Sequence, residues 1–567
     1  MVFSAPANYS QAWRLQTEPR YFHQHVRQHL GSIKPVDMRS NGGELKELLE
    51  GDGGRRSIRK RAHKDWAMSL GAGAFISAGQ FPAKFTFDVY ATPSCTSDYV
   101  AFTTSLNGAL QIVAFDNLYA TQGSVGGFCN ANGPSVKWAY NTRIAGDVTG
   151  KTLTSSVLSF DGTKIAYVES RTAANGGSIL QILKWKPGIA VTVQGSIATP
   201  ATPDTLLAAG QNWTTNCPAA NSCVSSIVFN GTQPDTNSSP FYNYSNDTLY
   251  VGDNAGVLHK FSGVFAGTPA EVIGGGWPLT VHAGAILTSP VLDFTSGNIF
   301  LGDSLGQLSF VKEIGSTLGA CGSGTPPCIG SVTQALTGNI VDPPAVDGVT
   351  ERVLAFVADT VNTGSVFQFD AQLSTPSRAI APIAVDSGNG VGSNIRSGAF
   401  DNTYLSSPSN AIAGHLYVCG KDPNSNDQPA IYRLNFSATG VLSTTVGNPL
   451  VGLTNNDTEE CSPITELSNG ATDRIFFSVQ NHAAQTGCGT GGCVMSITLP
   501  VTWPPAAVTS ARPASGGTSG IVVDNVGAAA QQSNIYFTYQ SNSTVATPCN
   551  LTSGVGCAVK LTQSGLN

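Results

Sequence analysis

The chain has 567 residues, a formal net charge of −6 and only 12% charged residues, about half the usual share. Phosphate-binding surfaces need clustered Lys and Arg, which most of the chain lacks, so nucleic acid is not among the expected partners. No run of about eighteen apolar residues occurs, so no membrane-spanning helix is expected either.

Residues 1–64 differ in texture from the rest. They carry a dense share of the basic residues and the cluster His23, His25 and His29. Segments 21–30 and 44–49 read as short amphipathic helices, and the whole as an irregular leader or linker. No Cys or carboxylate stands beside the histidines at metal-ligand spacing, so they read as part of a solvated helix or tail. The first residues lack the apolar stretch of a standard signal peptide. Paired arginines ahead of the mildly apolar run 66–78 resemble a twin-arginine export signal. Lys64 and Asp65 interrupt that approach, and a basic linker followed by a first strand is the plainer reading.

From Asp65 onward the pattern is β throughout. The stretch SSPFYNYSNDTLYVGDNAGVLHKF (238–261) returns as TSPVLDFTSGNIFLGDSLGQLSF (288–310). Each copy has a Ser-Pro start, a short apolar strand, a polar turn, an alternating strand, a Gly/Asp turn and a further alternating strand. Val, Ile, Phe and Tyr dominate these strands with period two. Comparable units fall at 83–116, 153–183, 342–369, 406–434, 461–497 and 518–561. A repeat of roughly fifty residues lies within the range of propeller blades. A lone meander cannot cover both of its faces, whereas radial stacking buries both and leaves only short edges. The expected fold class is therefore all-β: one β-propeller over 65–567 of about eight blades, each a four-stranded antiparallel meander. Seven blades would result if the first or last unit were shared in closing the ring.

Twelve cysteines lie in turns and loops. Four close pairs stand out: Cys217 with Cys223, Cys321 with Cys328, Cys488 with Cys493, and Cys549 with Cys557. Cys95, Cys129, Cys419 and Cys461 remain. An even count without CxxC knuckles or CxxCH points to disulfides and an oxidising, extracytoplasmic compartment rather than to zinc or haem. Such short loops should contribute roughly 2–3 kcal/mol each and pin hairpin tips.

At YVGDNAGVLHKF (250–261) the sequence resembles the quinoprotein-type propeller repeat. Trp138 in VKWAY and Trp277 in GGWPLTV then stand where docking tryptophans wedge between blades. The stretches KDWAMSLGAGAF, FPAKFTFD, SSPFYNYSNDTLYVGD and CAVKLTQSGLN also look like those of a group of secreted bacterial propeller proteins, a likeness that implies fold and export. The quinoprotein resemblance would imply a channel cofactor, a calcium, an aspartate base and a ring closed by adjacent cysteines. No Cys-Cys pair occurs and no carboxylate can be carried over. No cofactor is therefore expected, and pyrroloquinoline quinone is argued against.

Few residues carry a chemical signal. Asp422, Asn424, Asn426 and Asp427 alternate oxygen ligands as a calcium loop does, but lack the Gly and closing Glu of an EF-hand. They also suit any blade-tip turn. Asp253 and Asp303 recur once per blade, which argues for bonding to turn N–H groups. His259 and His282 read as isolated packed or surface residues. Asp457, Glu459 and Glu460 form an acidic group without a placed partner. No catalytic residue is assigned. The expected function is an exported or cell-surface binding scaffold for glycan or protein. The alternatives are a channel-centred enzyme (a quinoprotein-type oxidoreductase or a carbohydrate-active lyase or hydrolase) and a structural envelope protein.

Overall fold

The segment Asn298–Lys312 shows how this sequence makes a blade. Strands Asn298–Gly302 and Gln307–Lys312 pair antiparallel, Phe300 opposite Phe310. Between them Asp303 Oδ1 accepts the N–H groups of Leu305 at 2.8 Å and Gln307 at 3.0 Å. Gly306 sits at φ +82°, and a Cβ there would collide with the carbonyls of Leu336 and Gly338. Asp253 repeats the arrangement one blade earlier, accepting from Ala255 at 2.8 Å and Val257 at 2.9 Å. The Gly-Asp signature is thus a turn that only an acceptor side chain and a glycine complete.

The computed structural model describes residues 63–562 apart from internal stretches, the longest being 187–195, 384–393 and 541–554. The expected helices at 21–30 and 44–49 and the histidine cluster lie outside the described residues. Eight antiparallel sheets follow one another in a ring. Their innermost strands are Ala83–Phe85, Val157–Leu158, Phe241–Asn243, Val291–Leu292, Ala345–Asp347, Ala399–Phe400, Thr465–Ser468 and Val522–Asn525. We call these sheets blades one to eight. Blade six has three strands and two isolated bridges, Ile431 to Leu450 and Phe436 to Leu442, at its outer edge. Blade two adds a parallel outer strand, Thr205–Leu207. The described helices are short: Trp213–Asn216, Asn402–Ser406 and the 3-10 turn Thr375–Ser377.

The core is divided among the seams. Eight clusters of buried apolar side chains occur among the described residues, and each joins two neighbouring blades. Trp138 is fully buried in the seam of blades one and two, beside Tyr99 of one and Tyr167 of the other. Trp277 fills the seam of blades three and four against Tyr250, with ring centroids 6.0 Å apart. Near the axis, backbone N–H groups reach across to the next blade. Phe81 N donates to Ser155 Oγ (2.9 Å), Ser155 N to Ser239 Oγ (3.0 Å) and Ser239 N to Ser289 Oγ (2.7 Å).

Closure places the first strand. The strand at His63–Ala72 lies ahead of the unit expected at 83–116 and joins none of blade one's strands. It pairs with Val555–Thr562 and supplies the outermost strand of blade eight. The count stays at eight although both ends of the chain share that sheet. Beneath it Lys560 Nζ lies 3.1 Å from Asp65 Oδ2, both side chains essentially inaccessible. Lys84 Nζ of blade one lies 3.1 Å from Asp524 Oδ2 of blade eight, again buried. Tyr119 Oη stands 2.8 Å from Asp98 Oδ2 and 3.2 Å from Asp524 Oδ2. Burial pushes the Asp524 carboxyl up while Lys84 and Lys560 pull it back; burial pushes the Lys560 ammonium down while Asp65 opposes.

Asp524 holds a recurrent position. In four other blades an Asp or Asn ends or directly follows the innermost strand and caps the turn there: Asn243 accepts from Ser245 N (2.9 Å), Asp293 from Ser296 N (3.0 Å), Asp347 from Thr350 Oγ1 (2.6 Å) and Asp401 from Tyr404 N (2.8 Å). In blade eight the same side chain faces the closing seam.

Disulfides join Cys95–Cys129, Cys217–Cys223, Cys321–Cys328, Cys419–Cys461 and Cys488–Cys493. Cys557 is also disulfide-bonded, and Cys549 lies outside the described residues. Cys419–Cys461 does not pin a hairpin tip: it staples the second strand of blade six to the start of blade seven. With its ends 42 positions apart in sequence, it is worth about 4 kcal/mol in the chain-entropy model, against about 2 for the shortest loop.

The two histidines are not isolated. His259 Nε2 lies 3.2 Å from Asp253 Oδ2 and its Nδ1 2.7 Å from Glu271 Oε1, in a buried site. His282 Nδ1 lies 2.6 Å from Asp303 Oδ2. Both therefore brace the turn aspartates. Burial works against protonation of His259, but the bonds and charges of Asp253 and Glu271 outweigh it and raise its pKa. A raised folded-state pKa adds stability that is full below the unfolded value of about 6.5 and is lost as pH rises through the folded value. The stability difference between wild type and His259→Gln should therefore be larger at about pH 6 than at about pH 8.5. Denaturant melts at both pH values check this, and equal differences would contradict it. For the closing seam, Asp524→Ala leaves Lys84 buried without its charge partner and should cost about 3–5 kcal/mol, most of it recovered in Asp524→Leu/Lys84→Met. A loss below about 1 kcal/mol in urea unfolding would show that the pair does not hold the seam.

Candidate functional site

Neighbouring strands alternate in direction. The turns between second and third strands and the links between blades therefore fall at one end of the ring. At that end a cavity of about 360 Å³ opens onto the axis. Its wall comes from the segments that lead into the innermost strands, from Ser77 ahead of blade one to Arg396 ahead of blade six. The repeated Ser-Pro and Thr-Ser-Pro starts explain this wall. Proline opens the innermost strand, where its missing N–H is not needed. The serine before it accepts a backbone N–H from the preceding blade, which leaves its own proton to donate. Ser239 and Ser289 both do so beside the cavity.

One cation stands in the wall. Arg396 Nη1 lies 3.3 Å from Asp342 Oδ1 and its Nη2 3.7 Å from Glu460 Oε2. Asp342 Oδ2 accepts from Ser397 N at 2.9 Å and Ser397 Oγ at 2.6 Å. Glu460 Oε1 accepts from Asn394 N at 3.2 Å and Asn394 Nδ2 at 3.1 Å. Arg396 is 16% exposed, Asp342 6% and Glu460 19%. Gly79 faces this group closely: a Cβ there would stand 3.2 Å from Arg396 Nη1. Cys461 follows Glu460 directly, so the inter-blade disulfide anchors the backbone that carries this acid. On the rim Ile286 and Leu305 are 37% and 60% exposed. Ile286 is tied to Ser304 by bonds of 3.0 Å in both directions.

The residues named from sequence fall variously. Asp422 is buried and follows the second strand of blade six, at the same end of the ring, with its N–H bonded to Gln428 O at 2.7 Å. Asn424, Asn426 and Asp427 lie outside the described residues, as do Asp457 and Glu459. Among the described residues no group of three or more His, Cys, Asp or Glu side chains is placed to hold a metal ion. No described helix is long and apolar enough to cross a membrane. Of the acidic group only Glu460 is described, and Arg396 is its partner. Sequence reasoning missed Arg396, Asp342 and Asn339. The repeated Ser-Pro starts were the available signal for the wall, and a lone arginine in SNIRSGAF gave none.

No protein-family model and no curated protein sequence matches this chain. Among solved structures it is similar to Saccharomyces cerevisiae Sqt1, at 9% identity over 88% of this chain and 100% of that one, with a TM-score of 0.47. It is similar to the C-terminal WD40 domain of Sif2 at 9% identity, over 88% of this chain and 98% of that one, TM-score 0.41. It is also similar to BamB from Moraxella catarrhalis at 11% identity, over 89% and 98%, TM-score 0.37. The propeller assignment rests on the eight sheets and eight seams of this chain itself.

Proposed function

We propose that the protein is an extracytoplasmic binding scaffold, and that its working surface is the ring end bearing the axial cavity. The observation that carries this reading is the construction of the cavity wall. Segments from successive blades converge there, so one rigid ring presents many short loops around one recess. Rigid presentation lowers the ordering cost of binding. Recesses of about 300–1,000 Å³ are the usual size of small-ligand sites. The disulfides support an oxidising compartment. The surrounding surface is polar but weakly charged, which suits hydrogen-bonded recognition of glycan or protein.

The test is a comparison of the two ends of the ring. Ser289→Trp fills the cavity, while Thr439→Trp adds the same bulk to an exposed turn at the opposite end. Wild type and both variants would be applied to an immobilised glycan array and a panel of extracellular proteins. Binding that survives Thr439→Trp and falls at least about tenfold, or 1.4 kcal/mol, in Ser289→Trp supports the reading. Binding lost only in Thr439→Trp, no binding to any probe, or turnover of a bound probe would contradict it.

A further inference from the structure

The chemistry of the cavity narrows what it holds; this step rests on the reading of that ring end as the working surface. Its cation is already committed. Arg396 gives one end of its guanidinium to Asp342 and the other to Glu460. The carboxylates are committed in turn, Asp342 to Ser397 and Glu460 to Asn394. Two carboxylates against one guanidinium leave one negative charge in excess among these three side chains. An entering anion meets that excess, and of the guanidinium only the buried Arg396 Nε lacks a partner. An entering ammonium meets carboxylate oxygens that all have partners.

The rest of the wall is neutral. Ser77, Ser289, Ser304, Asn237 and Asn339 supply hydroxyls and amides, groups that donate and accept alike. Asn339 Oδ1 is a buried acceptor with no partner, while its Nδ2 reaches Asn394 Oδ1 at 3.4 Å. Leu153, Ile286 and Ile340 provide an apolar side to the same recess. A ligand that matches this wall carries several hydroxyls, one C–H face and no net charge. We infer that the cavity binds a neutral saccharide unit, a chain-end pyranose seated with its C–H face on the aliphatic side and its hydroxyls toward the serines and Asn339. The volume of about 360 Å³ suits such an end group and not a run of polymer.

Saturation-transfer NMR and calorimetry with simple glycosides test this directly. The neutral probes are methyl glucoside, galactoside, mannoside and N-acetylglucosaminide; the charged ones are methyl glucuronide, methyl galacturonide and glucosamine. At least one neutral glycoside should bind, with its uronide at least about tenfold weaker. Glu460→Gln removes one of the two carboxylates and should narrow that gap. Ser289→Trp should abolish binding, and Ser304→Trp on the rim is a second plug whose hydroxyl bonds only an exposed loop. Binding by no neutral glycoside, or a uronide held as well as its neutral counterpart, overturns the inference. The two readings fail differently. If no sugar binds while a protein partner still depends on Ser289, only the saccharide falls. If sugar binding survives both plugs, the ring-end reading falls with it.

Discussion

The structure depends on one pairing between the ends of the described chain. Strand His63–Ala72 completes the sheet that ends at Thr562. Without it blade eight would expose an unpaired strand edge, and the seam with blade one would lose Trp66 and Leu70 from its core. The seam holds two buried ion pairs, Asp65–Lys560 and Lys84–Asp524. Paired charges in such a place add little stability over apolar residues, but they punish a wrong partner, because an unpaired charge cannot be buried there. This specificity matters most at closure, since every blade is built alike and could dock on any other. The redirected Asp524 is the chemical mark that distinguishes the last blade from its neighbours.

Closure in turn makes the cavity possible. Each seam is a separate apolar cluster, and the axis itself is held by hydrogen bonds from blade to blade. A ring of this kind has little freedom at its centre, so the serines and the Arg396 group keep their spacing. The Cys419–Cys461 disulfide adds a covalent tie next to Glu460, at the seam of blades six and seven. Blade six is the sheet with three strands and no full outer strand, so the tie falls beside the least regular blade.

Much of the fold was legible from sequence, for physical reasons that can be named. Alternation of Val, Ile, Phe and Tyr marked the strands, and Asp303 with Gly306 marked a turn that needs both. Those are local signals. The partner of strand His63–Ala72 lies almost five hundred residues away in sequence and is set by tertiary pairing alone, so no local signal assigned that first strand to a blade. The histidines read as isolated because Asp253 and Asp303 had already been given a role. A carboxylate has two oxygens, and in both turns one caps the backbone while the other takes the imidazole. The Arg396 group escaped notice because its members stand in three different links between blades. Only their convergence at the axis makes them a site, and convergence is a property of the ring.

The measurement that bears most directly on this account is native-state amide hydrogen exchange along the two strands that close the ring. Segments Trp66–Ser69 and Cys557–Lys560 pair with one another, and the amides of each that bond across that pairing form two sets beside the same buried ion pair. The account predicts that both sets exchange only through global opening, with equal free energies and equal dependence on denaturant. If the first set exchanged orders of magnitude faster than the second, the N-terminal strand would be a detachable flap, and the ring would close by some other means.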